Sequence, residues 1–100
     1  MSSTDLTALR HRSRSAFGQD YQLEVMLKIA DTTGMVNLTD IAASLDLTTS
    51  QVQSTWKRLV AVDLLETTSR AHRTKLYKRR KGSHAWKWAR ELAGDLWVAD

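Results

Sequence analysis

The amino-acid sequence predicts a mainly helical domain with a small β-hairpin, an α+β fold. Apolar residues recur at helical spacing in four stretches of the 100-residue chain. Two β-prone segments, residues 64–68 and 74–78, stand between the third and the fourth stretch. Because 42% of the residues are hydrophobic, the chain has enough apolar side chains for one core and too few for two.

The first 18 residues are polar and rich in Ser and Arg, and they end at Gly18. This composition favours a flexible basic arm, with a short helix that carries Leu6 and Leu9 on one side as the alternative. The N-terminus lacks the hydrophobic segment of a signal peptide, and the apolar runs are only a few residues long. We therefore expect a soluble, cytoplasmic protein without a membrane partner.

The next elements are two helices joined by a short extended piece. Apolar spacing predicts a helix from Asp20 that ends at Gly34, where glycine can adopt the left-handed conformation. Residues 35–37 are extended and long enough only for a sheet edge. A second helix is predicted with Thr39 as its N-cap and with its end at Asp46.

The third helix begins with a T-x-x-Q capping box formed by Thr48 and Gln51. Its apolar stripe contains Val52, Trp56 and Leu59, which predicts that this side faces the core. The positions between these residues carry mostly short, uncharged polar side chains. The helix therefore presents a hydrogen-bonding face to solvent.

A hairpin and a last helix complete the order. The two β-prone segments are separated by the basic residues 69–73, and Gly82 and Ser83 mark a break before a helix over residues 83–98. Helix, edge strand, helix, helix, hairpin and helix form the layout of a winged helix-turn-helix. The predicted organisation is a flexible basic N-terminal arm (residues 1–18), a winged helix-turn-helix domain (19–83) and a C-terminal dimerisation helix (84–98).

Positive charge is concentrated in one quarter of the chain. The net charge is +4, yet residues 67–90 alone contain nine basic residues and no acidic one. Such a segment repels itself, and a polyanion relieves that repulsion. A solvated basic surface or a disordered loop is the plainer interpretation.

The outward face of the third helix is suited to reading base edges in a major groove. Gln can form a bidentate pair with adenine, and Ser or Thr can donate or accept with less discrimination. The alternative is a solvated helix face, but the helix follows another at helix-turn-helix spacing and precedes a basic hairpin. The candidate residues on this helix are Thr49, Ser50, Gln51, Gln53, Ser54, Lys57 and Arg58, the last two of which would meet phosphates.

The predicted hairpin tip is a second candidate contact with DNA. Arginine is favoured by the negative potential of a narrow minor groove. The candidate tip residues are Arg70, His72, Arg73 and Lys75, followed by residues 78–81 on phosphates. The arginines Arg10, Arg12 and Arg14 form either a further arm or a tail without contact.

The run LTDIAASLDLTTSQVQSTWKRLVAVDLLE, residues 38–66, resembles the core of bacterial winged helix-turn-helix transcriptional regulators of the MarR and ArsR type. The amino-acid usage and the segment LEVMLKIADTTGMVNLTDIA, residues 23–42, also look similar to small actinobacterial regulators. The resemblance implies that the candidate residues of the third helix read DNA and that residues 70–75 form the wing. Asp46 and Asp63 stand where these regulators usually have Gly, so we expect left-handed Asp residues there. Trp56 replaces a core Leu.

The sequence offers no catalytic or metal-binding pattern. It has no Cys, and His11, His72 and His84 lie far apart without carboxylates at chelating spacing. Paired carboxylates in an apolar setting, a nucleophile elbow and a phosphate-binding glycine loop are also missing from the sequence. We therefore expect no enzymatic activity, no metal and no cofactor.

The last helix carries two apolar stripes, of which one suffices for packing on the core. The second stripe would remain in water without a partner, which predicts a symmetric homodimer on a palindromic DNA site. In the alternative, both stripes pack within the monomer beneath the N-terminal segment. The predicted interface is Ala85, Trp88, Ala89, Leu92 and Leu96, beside a second stripe of Trp86, Ala93 and Trp97.

Taken together, these features predict a sequence-specific, double-stranded DNA-binding transcriptional regulator that is homodimeric and nucleoid-associated. A winged-helix protein-interaction module is one alternative, because a fold alone does not define function. A nonspecific architectural or plasmid-maintenance DNA binder is another.

Overall fold

The computed structural model describes residues 5–71 and 74–98. It confirms the predicted fold class, since helices dominate and the three strands form one small antiparallel sheet. The elements in chain order are α1 (Leu6–Phe17), α2 (Gln22–Asp31), β1 (Met35–Val36), α3 (Leu38–Ser44), α4 (Thr49–Ala61), β2 (Leu65–Ala71), β3 (Thr74–Arg79), α5 (His84–Ala93) and a 3₁₀ turn (Gly94–Leu96).

The N-terminal segment differs from the expected flexible arm, because Leu6–Phe17 form the helix α1. Asp5 caps its start by accepting a hydrogen bond from the Ala8 amide, and Gly18 ends it in the left-handed conformation. Leu9 is fully buried against the rest of the chain. This apolar contact, together with ion pairs described below, supplies the tertiary stabilisation that a polar helix of this length needs.

The two central helices begin and end at local signals. The capping box of α4 is present, with the Gln51 amide donating to Thr48 Oγ1 and the Thr48 amide donating to Gln51 Oε1. The N-cap of α3 is Asn37 and not Thr39, because Asn37 Oδ1 accepts from the Asp40 amide at 2.8 Å. Helix α3 therefore starts two residues earlier than the sequence indicated.

Two aspartates make the turns on either side of α4. Asp46 has φ of 57° and Asp63 has φ of 63°, which confirms the left-handed conformation expected for both residues. Asp is one of the few non-glycine residues that adopt this region routinely, because its short side chain bonds locally. These turns set the direction of α4 between α3 and β2.

The sheet packs against α4 through aromatic side chains. Both strands of the hairpin are longer than the β-prone segments, and β3 pairs with β1 as well as with β2. Trp56 of α4 is buried and meets Tyr77 of β3 edge-to-face, with ring centroids 5.4 Å apart. The large side chain that replaces the usual Leu is thus accommodated between the helix and the sheet.

Helix α5 is shorter than predicted and buries a different side. It starts at the Ser83 N-cap and ends at Ala93, ahead of Gly94. Trp86, Ala89 and Ala93 recur at helical spacing and lie in the core. Ala89 has no exposed surface, so its assignment to a partner interface is wrong.

Candidate nucleic-acid interface

The polar candidates of α4 lie together on its outward side. Val52, Thr55, Trp56 and Leu59 form the buried side, which leaves the intervening positions in solvent. The seven exposed candidates are Thr49, Ser50, Gln51, Gln53, Ser54, Lys57 and Arg58.

Gln51 is exposed, but its carboxamide already has partners within the protein. Its Oε1 atom accepts from the Thr48 amide at 2.9 Å, and its Nε2 atom donates to Tyr21 Oη at 3.1 Å. A bidentate pair with adenine needs both ends of the carboxamide. Gln51 is therefore less suited to base reading than the sequence indicated.

Gln53 differs from Gln51 in this respect. It lies on the exposed side of α4, and its side chain makes no hydrogen bond within residues 5–71 and 74–98. Ser54 donates a long hydrogen bond to Gln19 Oε1, at 3.5 Å. Of the two glutamines on this face, Gln53 keeps its donor and acceptor available.

The side chain of Lys75 in β3 lies on the side of the sheet that faces α4. Its ammonium lies 5.6 Å from the centroid of the Tyr77 ring, and the same ring packs on Trp56. The backbone of Arg70 pairs with Lys75 between β2 and β3. The Arg70 side chain, as well as His72 and Arg73, lies outside the described part of the chain.

The basic residues that follow the hairpin tip divide into two groups. Lys78, Arg80 and Lys81 are exposed, as expected for phosphate contacts. Arg79 instead donates through Nη1 to the carbonyl oxygens of Ile29, Ala30 and Thr32, at 2.9, 2.7 and 3.1 Å. The expectation that Arg79 meets phosphate is wrong, because its guanidinium satisfies the last carbonyls of α2.

Arg90 has a similar internal role. Its Nη2 atom donates to the Ala30 carbonyl at 3.1 Å and lies 3.4 Å from Asp31 Oδ1. Asp31 in turn accepts from Trp97 Nε1 at 2.7 Å. The C-terminal end of α2 thus gathers side chains from β3, from α5 and from the residue that follows the 3₁₀ turn. Two of the nine cations counted in the basic segment, Arg79 and Arg90, are bound there.

The three N-terminal arginines hold α1 to the body of the domain. Arg10 forms a bidentate pair with buried Glu24, at 2.7 Å, and this hydrogen bond raises the pKa of Arg10. Arg12 donates to the Leu92 carbonyl near the end of α5, at 2.7 Å. These contacts replace the further DNA arm that the sequence left open.

Arg14 completes this set through Asp20. Its guanidinium meets both carboxylate oxygens of Asp20, at 2.6 and 2.7 Å. These hydrogen bonds raise the pKa of Arg14 and lower the pKa of Asp20. Two of the three arginines of α1 are therefore paired with carboxylates of the same chain, whereas Lys57, Arg58 and Lys75 carry no ion pair within the described ranges.

Two classes of feature are missing from the part of the chain that the structure describes. No three His, Asp or Glu side chains come together there as metal ligands would. No helix in the same part has both the length and the apolar character needed to cross a bilayer.

Comparison with known proteins gives a likeness in fold. No protein-family model matches the chain, and no curated protein matches its sequence. Among solved structures, a mutant MarR from E. coli is similar with a TM-score of 0.67 at 18% sequence identity. The match covers 88% of this chain and 66% of the MarR chain, so this chain spans just under two thirds of that protein's length. The likeness supports a MarR-like winged-helix fold, and it supports neither the ArsR resemblance nor an actinobacterial source.

Proposed function

We propose that this protein is a sequence-specific, double-stranded DNA-binding transcriptional regulator that inserts α4 into the major groove. The main support is the outward face of α4, where seven polar side chains are exposed while a buried stripe holds the helix on the core. A groove about 12 Å wide admits one helix and requires donors and acceptors at short range. The MarR-like fold is consistent with this use of the helix.

The side chains of α4 would have different roles. Gln53 is the strongest candidate for a bidentate base contact, since its carboxamide is exposed and makes no hydrogen bond in the described chain. Thr49, Ser50 and Ser54 would add less selective hydrogen bonds. Lys57 and Arg58 follow along the helix, where the flanking phosphates would lie.

The hairpin would act as the wing. Lys75 lies on the face of the sheet that packs on α4, so a duplex in contact with α4 would pass close to it. Phosphate contacts of this kind position a protein and carry no sequence information. We assign the remaining wing contacts to Arg70, His72 and Arg73, and phosphate contacts to Lys78, Arg80 and Lys81.

The specific experiment is selection of bound duplexes from a random pool, followed by competition between selected and random duplexes at two salt concentrations. We expect the selected duplex to bind ~10³-fold more tightly or better. Equal affinities would instead identify a nonspecific architectural or plasmid-maintenance binder. A protein that binds no duplex at low salt would overturn the proposed function and favour the alternative of a protein-interaction module.

We further propose that a second copy of the chain covers an apolar groove beside α5. The groove has a volume of about 420 Å³ and runs between the end of α1, the end of α4 and the start of α5. Trp88, which meets Phe17 edge-to-face at 5.2 Å, is 46% exposed, and Val62 is 61% exposed. Ala85 also lines the groove, while Leu92 and Leu96 are half-buried. Large exposed apolar side chains in one patch are typical of interfaces.

Sedimentation of Trp88→Glu tests this dimer. We expect a monomer, because a carboxylate in the centre of an apolar contact loses its hydration. Met35→Glu is the matched control, since Met35 is 54% exposed on the sheet edge and lies outside the groove. If Trp88→Glu stays dimeric, the groove is not the interface.

A further inference from the structure

The polar residues buried in the described chain are gathered at one place. Ser13, Glu24 and Thr55 are at most 1% exposed, and they come from α1, α2 and α4. A buried polar group without a partner costs free energy, and each of the three has one. We call the set Ser13, Gln19, Tyr21, Glu24, Gln51 and Thr55 the polar junction.

Ser13 fixes the connection between α1 and α2. Its hydroxyl donates to the Gln19 carbonyl at 2.5 Å and accepts from the Leu23 amide at 3.0 Å. One side chain of α1 thus bonds the backbone on both sides of the connection. Residues 19–23 are held in one conformation by α1 and not only by their own turn geometry.

The ring of Tyr21 is held from the same helix. The Arg10 guanidinium lies 5.0 Å from the centroid of the Tyr21 ring. Arg10 is itself fixed by its bidentate pair with Glu24, whose side chain is fully buried. The position of the Tyr21 hydroxyl therefore depends on an ion pair between α1 and α2.

The connection then contacts successive turns of α4. Tyr21 Oη accepts from Gln51 Nε2 at 3.1 Å, and Gln19 Oε1 accepts from Thr55 Oγ1 at 3.3 Å. Ser54 adds a longer hydrogen bond to the same Gln19 oxygen. These contacts lie at the N-terminal half of α4, beside the polar face.

We propose that Tyr21 and Gln19 are positioning residues for DNA recognition, and that the Tyr21 hydroxyl keeps the Gln51 carboxamide away from the bases. This inference rests on the proposed function and adds to it a specificity role for a segment outside the helix-turn-helix. Because both ends of the Gln51 carboxamide are bonded within the protein, Gln51 contributes by holding α4 in position. The neighbouring side chains of α4 then make the base contacts. Pre-organisation of this kind strengthens specific binding because less freedom is lost on association.

The first test is Tyr21→Phe, which keeps the ring beside Arg10 and removes only the hydroxyl. We expect affinity for a duplex selected by the wild type to fall about fivefold, the effect of one neutral hydrogen bond. Selection with the variant should also give a changed base preference at one position, because the Nε2 donor of Gln51 is released while its Oε1 atom stays bonded to the Thr48 amide. Tyr21→Phe should remain folded at the assay temperature, and its affinity for random duplex and the salt dependence of its binding should stay as in the wild type.

Ser15→Ala is the matched control for loss of one hydroxyl on the N-terminal segment. Its hydroxyl donates to the His11 carbonyl within α1 and makes no contact with α4. We expect both the affinity and the base preference of this variant to equal those of the wild type. An equal loss in Ser15→Ala and Tyr21→Phe would overturn the inference, since it would reflect a general effect on α1.

A double-mutant cycle separates the junction from the capping box. Gln51→Ala removes the cap contact as well as the bond to Tyr21, but the cap is lost equally in both arms of the cycle. In the Gln51→Ala background, Tyr21→Phe should have no further effect on affinity. Equal effects in both backgrounds would overturn the inference.

The outcome for the wild type distinguishes the two proposals. A wild type without preference for any duplex would overturn the proposed function and this inference together. A selective wild type whose Tyr21→Phe variant has the same affinity and the same base preference would overturn this inference alone.

Discussion

Two arginine- and lysine-rich regions of this protein have opposite roles. In α1, the arginines are paired with Glu24, Asp20 or the carbonyls at the end of α5. On α4 and at the start of β3, Lys57, Arg58 and Lys75 are exposed and form no ion pair within the described ranges. The comparison teaches that the number of cations in a segment does not decide whether a polyanion can reach them. Their internal partners decide it.

Loss of Arg10 should give the largest effect, and it should fall on stability. Arg10→Met leaves the fully buried Glu24 side chain without its ion pair. Because Arg10 is partly exposed, we expect a loss of about 2–3 kcal/mol, at or below the lower end for a broken buried pair. Urea unfolding measures it.

The double variant Arg10→Met with Glu24→Leu is the control for this result. It leaves no unpaired buried charge and should recover most of the lost stability. If Arg10→Met alone is as stable as the wild type, α1 is not held by this pair and the contrast between the two regions fails.

Lys78 and Arg79 allow the same comparison between an exposed and an internally bonded cation within β3. Arg79→Ala removes a donor shared by three carbonyls at the end of α2, of which Ala30 still accepts from Arg90, so we expect a loss of about 1–3 kcal/mol. Lys78→Ala removes an exposed side chain and should change stability by less than about 0.5 kcal/mol. Thermal or urea unfolding of the two variants compares them directly.

In DNA binding, we expect the opposite order, with a larger effect from Lys78→Ala than from Arg79→Ala. Lys78→Ala should lower the slope of log affinity against log salt by about 0.9, the value for one lost phosphate contact. Arg79→Ala should leave that slope unchanged as long as the protein is folded. If the salt slope changed in Arg79→Ala and not in Lys78→Ala, Arg79 rather than Lys78 would be the residue that contacts phosphate.

On α4, substitution of an exposed cation should affect binding without affecting the fold. Lys57→Ala is expected to leave the free energy of unfolding within about 0.5 kcal/mol of the wild type. Its salt slope should fall by about 0.9, because one counterion-releasing contact is lost. Titrations at several salt concentrations measure this, and an unchanged slope would exclude Lys57 from the interface.

The smallest effect is expected from the exposed pair of Arg14 and Asp20. Because this pair lowers the pKa of Asp20 in the folded state, its contribution is present above the unfolded value of about 3.9. It is lost as pH falls through the lowered folded pKa. Thermal unfolding of wild type and Asp20→Asn should therefore differ at neutral pH and converge in acid. A difference that persists in acid would have another cause.

Local patterns predicted much of the fold and part of the candidate site. The T-x-x-Q box fixed the start of α4, and helical spacing separated its buried side from its exposed side. Asp46 and Asp63 were expected in left-handed turns and are found there. Each of these signals acts between residues only a few positions apart, so a short stretch of the sequence is enough to recognise it.

The predictions that were wrong concern residues whose partners lie far away in the sequence. The segment expected as an arm is the helix α1, Ala89 lies in the core, and Arg79 belongs to the end of α2. Each outcome depends on a partner that no local pattern identifies. Spacing gives the stripes of an amphipathic helix, but it does not tell which stripe meets the core.

By itself, the sequence determined the order of the elements, the caps and turns that bound α4, and the polar character of its outward face, because these follow from periodicity and from side chains within one turn of each other. Only the tertiary structure decided which polar and charged groups remain available. Gln51 meets Tyr21 across 30 residues, Arg79 reaches α2 across about 50, and Arg12 reaches the end of α5 across 80. Hydrogen bonds depend on distance in space, and packing of the whole chain sets that distance.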